Sequence, residues 1–283
     1  MRFSYMKWGL GIALTGLTVA LIDALFLEKY FFRVKHFTIG KRESTSKLRI
    51  LLLTDLHLVK KLRPFHRRLA HKINSLHPDV LLLTGDIIDQ TGELTPAKHF
   101  FGLLAQHITT LAIAGNHDHK NKVSIGALKK LLMKNRGYLL INETKQVTIN
   151  GITLTITGVD DFIEGNPNLG QSLQSIGKED HHLLLVHSPL QQELVQKGLQ
   201  IINTNRAETD QVNLQYIFAG HNHGGQVRLG PFVPVLPEKS GSYIDGWYNE
   251  HKPYLYVSKG FGTSGVPFRF GARAEIVLFH YGV

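Results

Sequence analysis

The 283-residue chain contains no cysteine. Disulfides and thiolate metal sites are therefore excluded, and any bound metal must take nitrogen and oxygen ligands. Carboxylates are scarce beside cations: 22 Asp and Glu stand against 32 Lys and Arg, a formal charge of +10 with histidine neutral. That surplus favours anionic partners, whether phosphates, acidic lipid surfaces or nucleic acid, without choosing among them. The sequence also lacks internal repeats, low-complexity segments, a twin-arginine signal and any recognisable nucleic-acid reading motif. A nucleic acid partner is disfavoured on that last ground, and no protein partner can be inferred. Apolar residues, by contrast, make up 43% of the chain, ample for a buried core.

Residues 8–27, WGLGIALTGLTVALIDALFL, are apolar apart from Asp23 and a few threonines and glycines. About 20 such residues match the length of a bilayer-spanning helix. The bulky LFLEKYFF at its end offers no small-x-small cleavage site, which argues against a removed signal peptide. The expected organisation is a membrane anchor over residues 1–30, a linker over 31–47 and a globular domain over 48–283. Arg2 and Lys7 precede the run, whereas Lys29, Arg33, Lys35, Lys41, Arg42 and Lys47 follow it. The positive-inside tendency then puts the large domain on the cytoplasmic face of the inner membrane, behind a spanning or an interfacial helix.

From residue 48, short apolar runs alternate with helix-like stretches. LRILLLT (48–54), DVLLLTG (79–85) and TTLAIAG (109–115) read as buried strands, with crossover helices over 63–76, 96–106 and 124–135. Later runs at 145–149, 152–158, 182–186, 214–219, 254–257 and 274–281 supply a second set. The pattern predicts an α/β fold, a sandwich of two mixed β-sheets flanked by helices.

Polar residues follow these runs in a fixed order. Asp55 and His57 come after the first and Gly85-Asp86-Ile87-Ile88-Asp89 after the second. Gly115-Asn116-His117-Asp118 follows the third, His187 ends LLLVH, and His221 and His223 follow FAG. Singly, each has a plain structural explanation: a cap, a turn or a satisfied core histidine. Five sets at five strand ends are improbable as unrelated caps and point to one rim, where α/β folds bind ligands.

This ordered set resembles the calcineurin-like metallophosphoesterase family over roughly residues 48–280. It is most similar to a membrane-associated bacterial branch, whose GH[TS]HGGQ signature appears here as Gly220-His-Asn-His-Gly-Gly-Gln226 and whose late glycine-rich stretch appears as Lys259–Pro267. Asn222 stands where Thr or Ser is usual and Val59 where Gly is common; neither departure removes a ligand. The resemblance implies that Asp55, His57, Asp86 and His223 hold one divalent metal and that Asp86, Asn116, His187 and His221 hold the other, with Asp86 bridging. Such ligands suit Mn²⁺, the expected ion, or Fe or Zn²⁺, and two cations about 3.5–4 Å apart can clamp a phosphoryl group and activate water. By the same resemblance His117 is the general acid, oriented by Asp89.

The substrate must be read from the surroundings. VKKLRPFHRRLAHK (59–72) carries Lys60, Lys61, Arg63, Arg67 and Arg68 without an acidic residue, a candidate phosphate-binding or membrane-contacting stretch. The apolar loop Leu229–Pro237 is a candidate lip for acyl chains or the bilayer. With the anchor, these features imply an amphiphilic nucleotide-lipid substrate and a membrane surface as partner. The resembling branch includes a UDP-2,3-diacylglucosamine pyrophosphatase of lipid A synthesis, which makes that lipid the specific expectation. A general phosphodiesterase is the alternative within the same chemistry, and a metal-free scaffold the alternative outside it.

Overall fold

Leucine-rich runs buried on both faces and halted by polar residues set the architecture of the computed structural model. It describes residues 2–41 and 43–283; Met1, Arg42 and the side chains of residues 2–10 and Ala13 lie outside the described residues. Its strands are β1 (Arg33–Gly40), β2 (Lys47–Leu53), β3 (Val80–Thr84), β4 (Thr109–Ile113), β5 (Gly137–Leu139) and β6 (Glu143–Ile149). They continue with β7 (Ile152–Gly158), β8 (His182–Leu185), β9 (Leu214–Ala219), β10 (Gly246–Tyr248), β11 (Tyr254–Val257) and β12 (Glu275–Gly282). Two six-stranded sheets result, ordered β1-β12-β2-β3-β4-β5 and β10-β11-β9-β8-β7-β6. In the first, β2 to β5 run parallel; in the second, β7, β8, β9 and β11 do.

The period-two alternation of strand side chains divides the core. Ile50, Leu52, Leu82 and Leu111 meet Leu154, Ile156, Leu183 and Phe218 between the sheets. Leu51, Leu53, Leu81 and Leu83 point outward onto Leu69, Ile73, Phe100 and Leu132 of the helices Pro64–Ser75, Leu94–Gly102 and Ile125–Lys134. The second sheet is covered in the same way by Gln191–Thr204 through Val195, a helix the sequence reading did not place. The expected two-sheet sandwich with outer helices is therefore the observed one.

The stretch expected as a linker is different. Residues 33–40 form an edge strand that pairs in parallel with β12, from Arg33 opposite Glu275 to Gly40 opposite Gly282. Lys35 Nζ reaches Glu275 Oε2 at 2.9 Å across that pairing. N-terminal to it lie the helix Arg2–Ile22, a π-helical turn Asp23–Leu27 and the short turn Glu28–Tyr30. Ile12, Leu14, Leu17, Val19, Leu21 and Phe26 on this segment are exposed. Among the described residues no helix is long and apolar enough to cross a membrane; the expected anchor falls partly on side chains outside the described residues.

One buried histidine is expected to make the sandwich acid-sensitive. His182 is fully buried at the start of β8, with Nε2 2.7 Å from Thr157 Oγ1, and burial lowers its pKa from 6.5 to about 4. Between those values the unfolded chain binds the proton and the folded chain does not, so stability falls with acidification from pH 6.5 towards pH 4. At pH 5 this one group is expected to cost about 2 kcal/mol. Thermal melts of wild type and His182→Gln at pH 7 and pH 5 check it; an equal acid loss in both proteins overturns it.

Candidate metal centre

All five predicted polar sets sit at carboxyl ends of parallel strands: β2, β3 and β4 of one sheet, β8 and β9 of the other. The loops leave those strands abruptly. Asp55 (φ 54°), His57 (φ 45°), Asp86 (φ 51°), His221 (φ 71°) and His223 (φ 51°) all occupy the left-handed region, which is costly for residues with side chains and persists where surrounding contacts over-determine it. Glycines make the crowding possible. Gly85 has φ 94°, and a Cβ there would lie 2.6 Å from His187 Nδ1; at Gly220 it would lie 2.0 Å from Thr54 Oγ1.

The side chains converge. His57 Nε2 is 3.1 Å from His223 Nε2 and 3.4 Å from Asp86 Oδ2. His187 Nε2 is 3.4 Å from the same Asp86 oxygen, 3.0 Å from Asn116 Oδ1 and 3.2 Å from His221 Nδ1. His223 Nε2 is 3.7 Å from Asp55 Oδ1. Donor atoms of Asp55, His57 and His223 lie within 4.8 Å of one another, as do those of Asp55, Asp86 and His187. All of these residues are buried.

The outer hydrogen bonds test whether a cation suits this cluster. His187 Nδ1 lies 2.8 Å from Thr84 O and His221 Nε2 lies 2.8 Å from Glu238 O. A carbonyl only accepts, so these nitrogens carry the protons, and neutral His187 and His221 turn lone pairs at Nε2 and Nδ1 towards each other and towards Asn116 Oδ1. Acceptors facing acceptors in a dry site are what a cation relieves, and a second bond fixing each ring is characteristic of ligating histidines. The carboxylates pull positive charge into the same place, which a proton on His187 and a bound cation compete to supply. Burial opposes charge on His187, yet Asp86 and Asp55 raise its pKa well above the ordinary value; the same burial opposes charge on Asp86, and His187 and His57 nonetheless depress its pKa. His221, by burial and the proximity of His187, is lowered to about 3 and stays neutral.

His117 and Asp89 stand at the edge of this cluster. Asp89 Oδ2 is 3.3 Å from His117 Nδ1 and 3.4 Å from His57 Nδ1, so one carboxylate faces both rings. Burial works against protonation of His117, and Asp89 followed by Asp86 overcomes it and raises the pKa. Its other nitrogen, Nε2, lies 3.1 Å from Ser264 Oγ. Of the basic residues predicted to meet substrate, Lys60, Lys61 and Arg63 line a pocket that His57 also borders. Arg67 and Arg68 are not in that lining; Arg68 stacks over the Phe31 ring at 5.4 Å and borders a separate hollow with Tyr30.

Three further residues escaped the sequence reading. Asp118 accepts from the backbone N–H groups of Ile87, Ile88 and Gly115 at 2.8–3.1 Å, stitching the β3 and β4 loops together. Arg269, fully buried, donates to the carbonyls of Gly262, His223, Ala272 and Lys259, and its Nη2 is 3.0 Å from His223 Nδ1. Ser264 is the third. Asp118 was visible within Gly-Asn-His-Asp, but nothing in the pattern distinguished a loop tie from a ligand; Arg269 lies just beyond the glycine-rich stretch Lys259–Pro267 and carries no local signal. At the unusual position Asn222, the side-chain amide donates to Tyr243 O and ties the ligand loop to the segment that follows.

A two-sheet sandwich with a carboxylate–imidazole–amide cluster across its strand ends, suited to divalent cations, defines a class of metal-dependent hydrolases. The calcineurin-like phosphoesterase family matches residues 48–225, and the chain belongs to it. The protein is a metal-dependent phosphoester hydrolase. It is 31% identical to the uncharacterized metallophosphoesterase YkuE of Bacillus subtilis over 73% of this chain and 69% of that one. It is 30% identical to YkoQ of the same organism over 83% of each chain. A bovine transmembrane protein with metallophosphoesterase domain is 28% identical over 82% of this chain and 52% of its own length.

Proposed function

We propose that the protein hydrolyses a phosphoanhydride or phosphodiester in an amphiphilic substrate drawn from a membrane surface, with UDP-2,3-diacylglucosamine as the specific candidate. One observation carries this reading: the cluster opens directly onto an apolar pocket of about 520 Å³. His223 and Asn222 form its inner wall, and Val227, Pro234, Val235 and Phe268 are among its lining. Val235 and Val266 in its lining are exposed, as are Leu229 and Phe232 on the same apolar loop as Val235, a surface suited to acyl chains. The exposed apolar face of the N-terminal helix supports a seat for the domain at a bilayer, as does the name of the bovine relative. The cations after that helix favour the cytoplasmic face of the inner membrane.

In this reading Asp55, His57, Asp86 and His223 hold one divalent cation, and Asp86, Asn116, His187 and His221 the other; manganese is the proposed ion. When bound, the cations supply the Lewis acidity and positive charge that phosphoester hydrolysis needs. The chain supplies the rest. His117 donates a proton from Nε2 to the leaving oxygen as the phosphorus–oxygen bond breaks, while Asp89 holds Nδ1 and so the ring orientation. The apolar wall excludes water from the remainder of the cleft and seats the acyl chains. For the candidate lipid, water cleaves the phosphoanhydride, one phosphorus gaining the hydroxyl and the other phosphate leaving with the proton from His117, and the products are UMP and 2,3-diacylglucosamine 1-phosphate.

The test is incubation of manganese-loaded protein in mild detergent with UDP-2,3-diacylglucosamine, with products read by mass spectrometry. UMP and the acylated sugar phosphate are expected from wild type and not from Asp86→Ala. Intact lipid alongside hydrolysis of an aryl phosphodiester overturns the amphiphilic substrate and favours a general phosphodiesterase.

A further inference from the structure

Besides the apolar pocket, the cluster borders a second one of about 430 Å³, with Lys29, Lys60, Lys61, Arg63 and Thr263 in its lining together with His57. The two pockets share the metal centre as their common wall, since His57 and His223 face each other across 3.1 Å. Among the described residues, no carboxylate lies within ion-pair distance of any of these four cations, whereas Lys35, Lys120, Lys129, Arg228, Lys259 and Arg273 each have an acidic partner. Four unpaired cations around one hollow attract an anion.

Lys29 is the unexpected member, because it belongs to the N-terminal segment and not to the basic stretch after the first motif. Its Nζ donates to Pro267 O at 2.6 Å and lies 5.7 Å from the Phe65 ring centroid, which leaves further N–H donors for a ligand. Burial lowers its pKa, and so do the nearby Arg269 and Arg63 guanidiniums, the field of a site short of negative charge. The segment is fastened in place. Arg269 N donates to Ala24 O at 3.2 Å, Gly271 N to Glu28 Oε1 at 2.8 Å and Ala274 N to Glu28 O at 3.2 Å. The stretch that docks the N-terminal segment is thus the one whose Arg269 side chain also holds His223.

We propose that this pocket is a subsite for a second phosphate next to the scissile one, that Lys29 is a specificity residue within it, and that the substrate is therefore a diphosphate. The proposal rests on the phosphoester chemistry above and narrows it from phosphodiester or phosphoanhydride to phosphoanhydride. It also makes the N-terminal segment part of the active site: its helix Arg2–Ile22 presents apolar side chains outward, and its short turn Glu28–Tyr30 delivers a cation inward.

The experiment measures inhibition of aryl phosphodiester hydrolysis by the full chain in detergent, with manganese in excess, comparing α,β-methylene-UDP with UMP. Wild type is expected to bind the diphosphate analogue about tenfold or more tightly than the monophosphate. Lys29→Ala is expected to bring the two inhibition constants within about twofold, and Lys29→Arg to keep most of the preference. No preference in wild type, or an unchanged ratio in Lys29→Ala, overturns the subsite. Should Lys29→Ala fail to fold, the exposed pair Lys60→Ala/Lys61→Ala carries the same expectation. The assay uses an aryl diester, so its outcome is independent of whether the lipid is a substrate.

Discussion

Asp86→Ala is expected to lower kcat/KM on any phosphoester by about a thousandfold or more and to reduce bound metal from two ions to at most one per chain. Asp86 stands between an imidazole of each half. One carboxylate oxygen lies 3.4 Å from His57 Nε2 on one side and 3.4 Å from His187 Nε2 on the other. The second accepts the backbone N–H of His117 at 2.8 Å. Truncation therefore removes the shared anion and also loosens the helix start that carries the acid. Asp86→Asn separates these effects, because the amide retains an oxygen for the His117 N–H and loses the charge. It is expected to fold and melt near wild type yet bind metal weakly. Metal content by elemental analysis, beside turnover of an aryl phosphodiester, checks both variants. Two retained ions with wild-type turnover in Asp86→Ala would falsify the bridging assignment.

The strands that carry this centre were legible because they are buried on both faces, so their leucine runs needed no partner to be recognised. β1 was not legible. RVKHFTIG alternates polar and apolar residues on an edge, and its partner β12 lies at the other end of the chain, a pairing no local pattern reveals. The helix Gln191–Thr204 buries only Gln191, Gln192 and Val195, too few apolar positions to stand out. The cluster itself was readable because each candidate ligand sits a few residues past such a strand and its residue type states its chemistry. Arg269 and Lys29 were hidden for the opposite reason. Arg269 serves backbone carbonyls, which have no sequence identity, and Lys29 shares a pocket with His57 only because the N-terminal segment docks on residues 267–274.

His117→Ala is expected to separate substrates by their leaving groups. If the imidazole protonates the departing oxygen, its loss costs about 10²–10⁴-fold on a poor leaving group such as an alkyl ester or sugar phosphate. A p-nitrophenyl leaving group needs little protonation, and the loss there is expected to stay within about tenfold. The geometry favours this split over a ligand role. Both His117 Nδ1 and His57 Nδ1 face Asp89, but only His57 turns its Nε2 into the cluster, towards His223 and Asp86. His117 Nε2 points instead to Ser264 Oγ, on the glycine-rich loop between the two pockets. Asp89→Asn provides the second arm: it keeps the shape and removes the charge that favours protonated His117. It should reproduce the same leaving-group dependence at smaller amplitude while both metals remain bound. Equal losses on the two substrate classes, or loss of metal in His117→Ala, would assign the residue to metal or substrate positioning and remove it as the acid.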